Sequence, residues 1–279
     1  MNELTKRILI GVPGIIFIIF CIIYSPYTFG ALFLLVTVLA LWEFYNLIEN
    51  DEVKPMKYLG TIIGATVFIA NFYFAQQMAQ GEHIPLRFVL FIIPMVFLFF
   101  LVELFKKNTS PFTNISFSLS GIIYIAFPFA ILNYVVMFPE EYTSNYYHPE
   151  ILIYYFLMLF ANDTGAYFAG KQFGKTKLFE RISPKKTWEG SVGGLLLSLS
   201  VATGLSFIFT TIDIIDWLVL ATIIVVFGTL GDLVESYFKR GLGIKDSGNI
   251  LPGHGGVLDR FDSLLLSVPF AFVYLRTLI

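Results

Sequence analysis

The feature that most constrains this chain is a recurring series of long apolar stretches with few charges inside them. A helix needs about 20 apolar residues to cross the hydrocarbon core of a bilayer. Nine stretches meet or approach that length, at roughly 8–25, 28–48, 58–80, 86–105, 117–138, 150–170, 188–210, 214–232 and 261–278. The expected fold class is therefore an all-α polytopic integral membrane protein with about nine transmembrane helices. Only 14% of the residues are charged, well below the roughly 25% typical of soluble domains. The sixth and ninth stretches are the least clean. One ends in "ANDTGAYFAGK", and the other begins with Arg260 and Asp262. The first follows Lys6 and Arg7 as a signal peptide would. It is longer than the usual 7–15-residue h-region and no small-residue cleavage site follows, so a retained first span is expected.

Charge placement orients these spans. With a cytoplasmic N-terminus, every Lys and Arg except Arg87 and Arg276 falls in an inside segment. That is a one-sided fit to the positive-inside rule. The acidic stretch "PEEYTSNYYHPE" (139–150) falls outside, as does the C-terminus. The expected location is the cell membrane, multi-pass. The formal net charge of −2 gives no sign of a polyanionic partner, and no nucleic acid is expected. Cys21 is the single cysteine, so no intrachain disulfide is available. Segments before residue 150 are chemically plain, whereas 160–190 and 229–263 hold most of the Gly, Asp and Lys clusters. Two regions are expected: 1–150 for packing, lipid access or dimerisation, and 151–279 as a catalytic region facing the cytoplasm.

Four clusters carry chemistry. In "NDTGAYFAGKQFGKTK" (162–177), Asn162 and Asp163 lie near the end of an apolar span, where an ionisable group is costly and suggests function. Gly165, Ala166, Ala169 and Gly170 suit close helix packing instead. In "SPKKTWEG" (183–190), Ser183 and Pro184 resemble a cap and first-turn pair, with Glu189 early in the next helix. Lys185 and Lys186 read equally well as phosphate contacts or as ordinary flanking anchors. In "GDLVESYFKR" (231–240), a helix would align Asp232, Glu235, Ser236 and Lys239 on one polar stripe. Such a stripe suits a metal-bound phosphate, or simply an exposed face.

The fourth cluster is "KDSGNILPGHGGVLDRFD" (245–262). Gly253, Gly255 and Gly256 around His254 permit backbone conformations that bring N–H groups to an anion. Asp259 and Asp262 are spaced to face one point if a helix begins there. Hard divalent cations take carboxylates together with substrate phosphates and water. Lys239, Arg240, Lys245 and Arg260 supply opposing charge. The chain has no GxxxxGK[ST] loop, no HExxH and no G-x-S-x-G. Three histidines and one cysteine make a structural zinc site a poor fit.

The stretch "SYFKRGLGIKDSGNILPGHGGVLDRFD" (236–262) resembles the signature of the phosphatidate cytidylyltransferases, or CDP-diacylglycerol synthases. Its fixed positions are present at Ser236, Lys239, Arg240, Lys245, Asp246, His254, Gly255, Gly256, Asp259, Arg260 and Asp262. The segments "NDTGAYFAGKQFGK" and "SPKKTWEG" are also similar to that family. The resemblance is strong over about 160–262 and rests on hydropathy alone before residue 150.

The resemblance implies the reaction CTP + phosphatidate → CDP-diacylglycerol + pyrophosphate in phospholipid biosynthesis. It implies Mg²⁺, with room for a second cation. Asp232 and Asp259 are the leading metal ligands, with Asp246 and Asp262 as further candidates. Lys239, Arg240, Lys245 and Arg260 would hold the triphosphate or leaving pyrophosphate. Ser183, Lys185 and Lys186 would receive the phosphatidate headgroup or clamp CTP, and Asn162 and Asp163 would orient the nucleotide or a metal. Ser236, Gly255 and Gly256 join the substrate-binding set. His254 suits either a phosphate contact or a structural hydrogen bond within the glycine loop. A homodimer is compatible with Gly190, Gly194 and the aromatic spans. Two other classes compete. A polyprenol or phytol kinase would move the γ-phosphoryl group, and a secondary transporter would place its polar groups at the midplane rather than the cytoplasmic edge.

Overall fold

The computed structural model describes residues 3–82, 86–139, 145–209, 212–248, 250 and 255–277. Among the described residues there are ten α-helices and one small hairpin, divided between two compact units.

The first unit comprises Met1–Pro149 together with Asp246–Arg260. Its helices are α1 (Glu3–Tyr24), α2 (Pro26–Ile48), α3 (Lys57–Ala79), α4 (Leu86–Leu104), α5 (Pro111–Gly121) and α6 (Phe127–Val136). α2 starts sharply because Ser25 and Thr28 form a reciprocal capping box and Pro26 occupies the first turn, where its missing N–H costs nothing. Its buried face includes Phe29, Phe33, Leu41 and Tyr45. The Tyr45 hydroxyl donates to the Ser118 carbonyl oxygen at 2.7 Å, tying α2 to α5. α5 and α6 are joined by a π-helical turn, Ile122–Ala126. Pro128 explains it: the proline has no N–H to give the Tyr124 carbonyl and its ring crowds that oxygen. The register relaxes there to an i→i−5 bond from Phe127 to Ile122.

The second unit comprises Glu150–Lys245 and Phe261–Ile279. It contains α7 (Pro149–Phe173), strands β1 (Lys177–Phe179) and β2 (Ser183–Thr187), α8 (Trp188–Ser206), α9 (Ile214–Gly241) and most of α10 (Leu258–Thr277). α7 and α8 meet along small residues. A Cβ on Gly165 would lie 2.6 Å from the Gly193 carbonyl oxygen, and one on Gly190 would lie 2.9 Å from that of Ala166. In lipid there is no hydrophobic drive between helices, so close backbone approach and hydrogen bonds hold them together. Ser198 Oγ adds one, donating to the Met158 carbonyl oxygen at 3.1 Å. Gly190 and Gly194 thus face α7 of the same chain, so the glycines read as compatible with a homodimer are used in this seam.

Helices occupy all nine sequence-predicted stretches. Among the described residues, five segments are long and apolar enough to cross a membrane: Pro26–Ile48, Lys57–Ala79, Pro111–Val136, Pro149–Phe173 and Ile214–Gly241. Those helices make the chain an all-α membrane protein. α8 falls short because Gly and Ser dilute it, and α10 because Asp259, Arg260, Asp262 and Arg276 lie within it. α9, with 28 residues, is roughly 42 Å long, against about 30 Å of hydrocarbon. Its apolar part comes first, so its polar C-terminal turns extend beyond the apolar layer.

Candidate active site

Those last turns of α9 carry the predicted stripe. Ser236 Oγ donates to Asp232 Oδ1 at 3.2 Å, and Lys239 Nζ pairs with Glu235 Oε2 at 3.2 Å, each one helical turn apart. Gly231 sets the distance to the next helix. A Cβ there would stand 2.6 Å from the Asp262 carbonyl oxygen, so the α10 backbone lies directly on α9. Asp262 is thereby brought near Asp232, and its carboxyl lies within hydrogen-bonding reach of Glu235. Asp163, exposed on α7, lies within electrostatic reach of Asp232, Asp262 and Lys186.

The hairpin delivers Lys186. β1 and β2 pair antiparallel, with Lys177 opposite Thr187 and Phe179 opposite Ser183. Successive strand residues point to opposite faces. Lys185 is accordingly exposed, while Lys186 is half-buried and its Nζ meets Asp232 Oδ2 at 2.5 Å. The expectation that Ser183 and Pro184 begin a helix is corrected here, because both lie in β2. The cap of α8 is Thr187, whose side chain accepts from Gly190 N at 3.1 Å. The Glu189 carboxylate accepts the Lys175 and Thr176 N–H groups at 3.1 Å, closing the hairpin's base. Thr187→Ala should cost about 1 kcal/mol of stability, measured by denaturant titration in mixed micelles.

The remaining residues of the second unit are less engaged. Arg240 is exposed and donates to the Ile244 carbonyl oxygen at 3.1 Å, and Lys245 is exposed. Asn162 is buried and its Oδ1 faces Gly194 in the α7–α8 seam. Asn162 thus lies in the helix seam, whereas its neighbour Asp163 lies within electrostatic reach of the polar cluster.

In the first unit, Asp259 ties together two described parts of the signature stretch. Its Oδ2 accepts the N–H groups of Ser247 and Gly256, both at 2.9 Å. Gly255 has φ +84°, which side chains disfavour, and a Cβ there would come within 2.6 Å of Asp259 Oδ2. Gly256 is buried, while Asp246 and Arg260 are exposed. His254 lies outside the described residues. A residue absent from the sequence reading also enters: Glu43 of α2, buried, accepts the Leu258 N–H at 2.9 Å. The available signal was a carboxylate inside an apolar span.

The donor chemistry fits a hard divalent cation. Four carboxyls (Asp163, Asp232, Glu235 and Asp262) gather against two lysines, Lys186 and Lys239, with no thiolate or imidazole among them. Among the described residues, no three such side chains are placed to hold a metal by themselves. Substrate phosphates and water would have to complete the shell, as is usual for Mg²⁺.

Comparison with known proteins agrees with this chemistry. Residues 5–278 match the sequence profile described as the Cytidylyltransferase family. The chain is 35% identical over 276 residues to the phosphatidate cytidylyltransferase of Bacillus subtilis strain 168, covering 99% of this chain and 98% of that protein. It is 32% identical over 267 residues to the Haemophilus influenzae protein of the same name, covering 89% and 90%. Against the Staphylococcus aureus strain COL protein of that name it is 36% identical over 263 residues, covering 92% and 96%. With a profile match across nearly its whole length and relatives aligned almost end to end, the chain belongs to the cytidylyltransferase family.

Proposed function

We propose that this chain transfers the cytidylyl group of CTP to phosphatidate, forming CDP-diacylglycerol and pyrophosphate. The observation that carries the reading is the Lys186–Asp232 pair among three further carboxyls, at the polar end of a helix too long for the bilayer core. The full-length likeness to proteins named phosphatidate cytidylyltransferase supports the choice of substrates.

In this reaction a phosphate oxygen of phosphatidate attacks the α-phosphorus of CTP. The bond from that phosphorus to the oxygen bridging the β-phosphorus breaks, and pyrophosphate leaves with the electron pair. A phosphate monoester has its second pKa near 6, so the nucleophile is already ionised at neutral pH and needs no strong base. The protein's task is alignment and charge neutralisation. Lys186, paired with Asp232 and fixed by the hairpin, is assigned to a substrate phosphate, with Ser183 and Lys185 at the headgroup side. Lys239, Arg240, Lys245 and Arg260 are assigned to the triphosphate and the departing pyrophosphate. Ser236 orients Asp232, and Asp163 helps to place the nucleotide. Asp232 and Asp259 would hold Mg²⁺, with Asp246 and Asp262 as further candidates. When bound, the cation supplies charge neutralisation of the phosphates.

The same reading takes all nine helical stretches as spans with the N-terminus in the cytoplasm, in the cell membrane. It is supported by the placement of every Lys and Arg except Arg87 and Arg276. CTP then reaches the site from the cytosol while phosphatidate stays in the bilayer. Residues 1–150 would serve packing and lipid access.

The test is purified protein in micelles with CTP, Mg²⁺ and phosphatidate. CDP-diacylglycerol and pyrophosphate are expected in equal amounts, falling to background on chelation and returning with Mg²⁺. Formation of CDP with a phosphorylated alcohol would instead establish a kinase.

A further inference from the structure

Glu43 lies near the end of α2, far in sequence from every cluster singled out above. It is only 4% exposed. Its Oε2 accepts the Leu258 N–H at 2.9 Å, and the Val257 N–H also lies within its reach. Its Oε1 stands beside the Ser247 hydroxyl and directly over the Cα atoms of Gly248 and Gly256. A Cβ on either glycine would overlap that oxygen. One carboxylate therefore receives both flanks of the signature stretch: Ser247–Gly248 on one side and Gly256–Leu258 on the other. Asp259 ties the same flanks through the Ser247 and Gly256 N–H groups. Asp259, though, is part of the stretch it ties, whereas Glu43 stands on a separate helix anchored to α5 through Tyr45.

A buried carboxylate in an apolar span is expensive and is kept only where hydrogen bonds repay it. Here its partners are backbone N–H groups at the start of α10, where a negative charge is also favoured by the helix dipole. Glycine at 248 and 256 is needed for the approach. The arrangement spends a costly group on holding a loop neck and touches no chemistry itself.

We propose that Glu43 is the positioning residue of the signature stretch, fixing Ser247–Gly248 against Gly256–Leu258 so that Arg260 is preset for the CTP phosphates. The proposal rests on the function argued above for its substrate, and on this unit's own geometry for the clamp.

The test uses the full chain in micelles with Glu43→Ala, Glu43→Gln, Gly248→Ala and the Glu43→Ala/Gly248→Ala double variant. Glu43→Ala should raise KM for CTP about tenfold or more while KM for phosphatidate moves less than about twofold, because only the nucleotide side is misplaced. Glu43→Gln keeps one acceptor for Leu258 and should recover part of the loss. Gly248→Ala should be damaging alone yet add almost nothing to Glu43→Ala, since the oxygen it strikes is gone. Unchanged KM values with less folded protein, or additive losses in the double variant, would overturn the proposal. Amide hydrogen exchange at Ser247, Gly256 and Leu258 separates the two claims. Faster exchange in Glu43→Ala supports the clamp even if the wild type makes no CDP-diacylglycerol, and unchanged exchange overturns it even if the enzyme is active.

Discussion

Asp232→Asn is expected to lower turnover by about 10²–10³-fold, the range seen when one preorganised electrostatic group is removed. The substitution preserves shape and still accepts the Ser236 hydroxyl. It removes the charge that holds Lys186 at 2.5 Å and one of the carboxylates suited to a hard cation. Folding should survive, because the Asp232 side chain is 34% exposed and water can screen the lysine left behind. The measurement is pyrophosphate release at saturating CTP and phosphatidate, beside a melting curve. Near-normal turnover would remove Asp232 from the reaction, and a lost melting transition would show that it is structural instead.

Gly231→Val should damage both activity and stability. Its Cβ would be placed 2.6 Å from the Asp262 carbonyl oxygen, which is backbone and has no rotamer in which to retreat. The α9 and α10 helices must then separate. Overpacking of this kind costs about 1–3 kcal/mol. A displacement of about 1 Å in a group that positions reactants costs on the order of 10²-fold in rate. Gly204→Val is the matched control, since nothing lies within 4 Å of a Cβ there. Activity and melting should change strongly in the first variant and little in the second. Equal behaviour would show that the Gly231 contact does not position the acids.

These two variants mark what was legible in the sequence and what was not. The α9 stripe was legible because helical period is a local property: Asp232, Glu235, Ser236 and Lys239 follow from 3.6 residues per turn. The spans were legible for the same reason, since length and hydropathy are read one segment at a time. The hairpin was not. Its strands hold three and five residues, with Pro184 and one Lys pair in place of β-branched alternation, so nothing marked it as sheet. Ser183 consequently read as a helix cap, a place that Thr187 takes, and Lys185 and Lys186 could not be told apart. Only the strand's alternation separates them. Glu43 was visible as an anomalous charge in "LWEFY", but its partner is 215 residues away and no local pattern names it.

By itself the sequence determined the membrane class, the helices, the resemblance in the signature, and the residue types able to handle a metal-bound phosphate. Each of these depends on composition or on spacing within one segment. Tertiary structure alone decided that Lys186 and not Lys185 meets Asp232, that Gly231 sets Asp262 beside it, that Asn162 lies in the α7–α8 seam while Asp163 lies within reach of the cluster, and that Glu43 accepts the Leu258 N–H. Those facts depend on backbones meeting at van der Waals distance, and segments that meet so closely can lie anywhere along the chain.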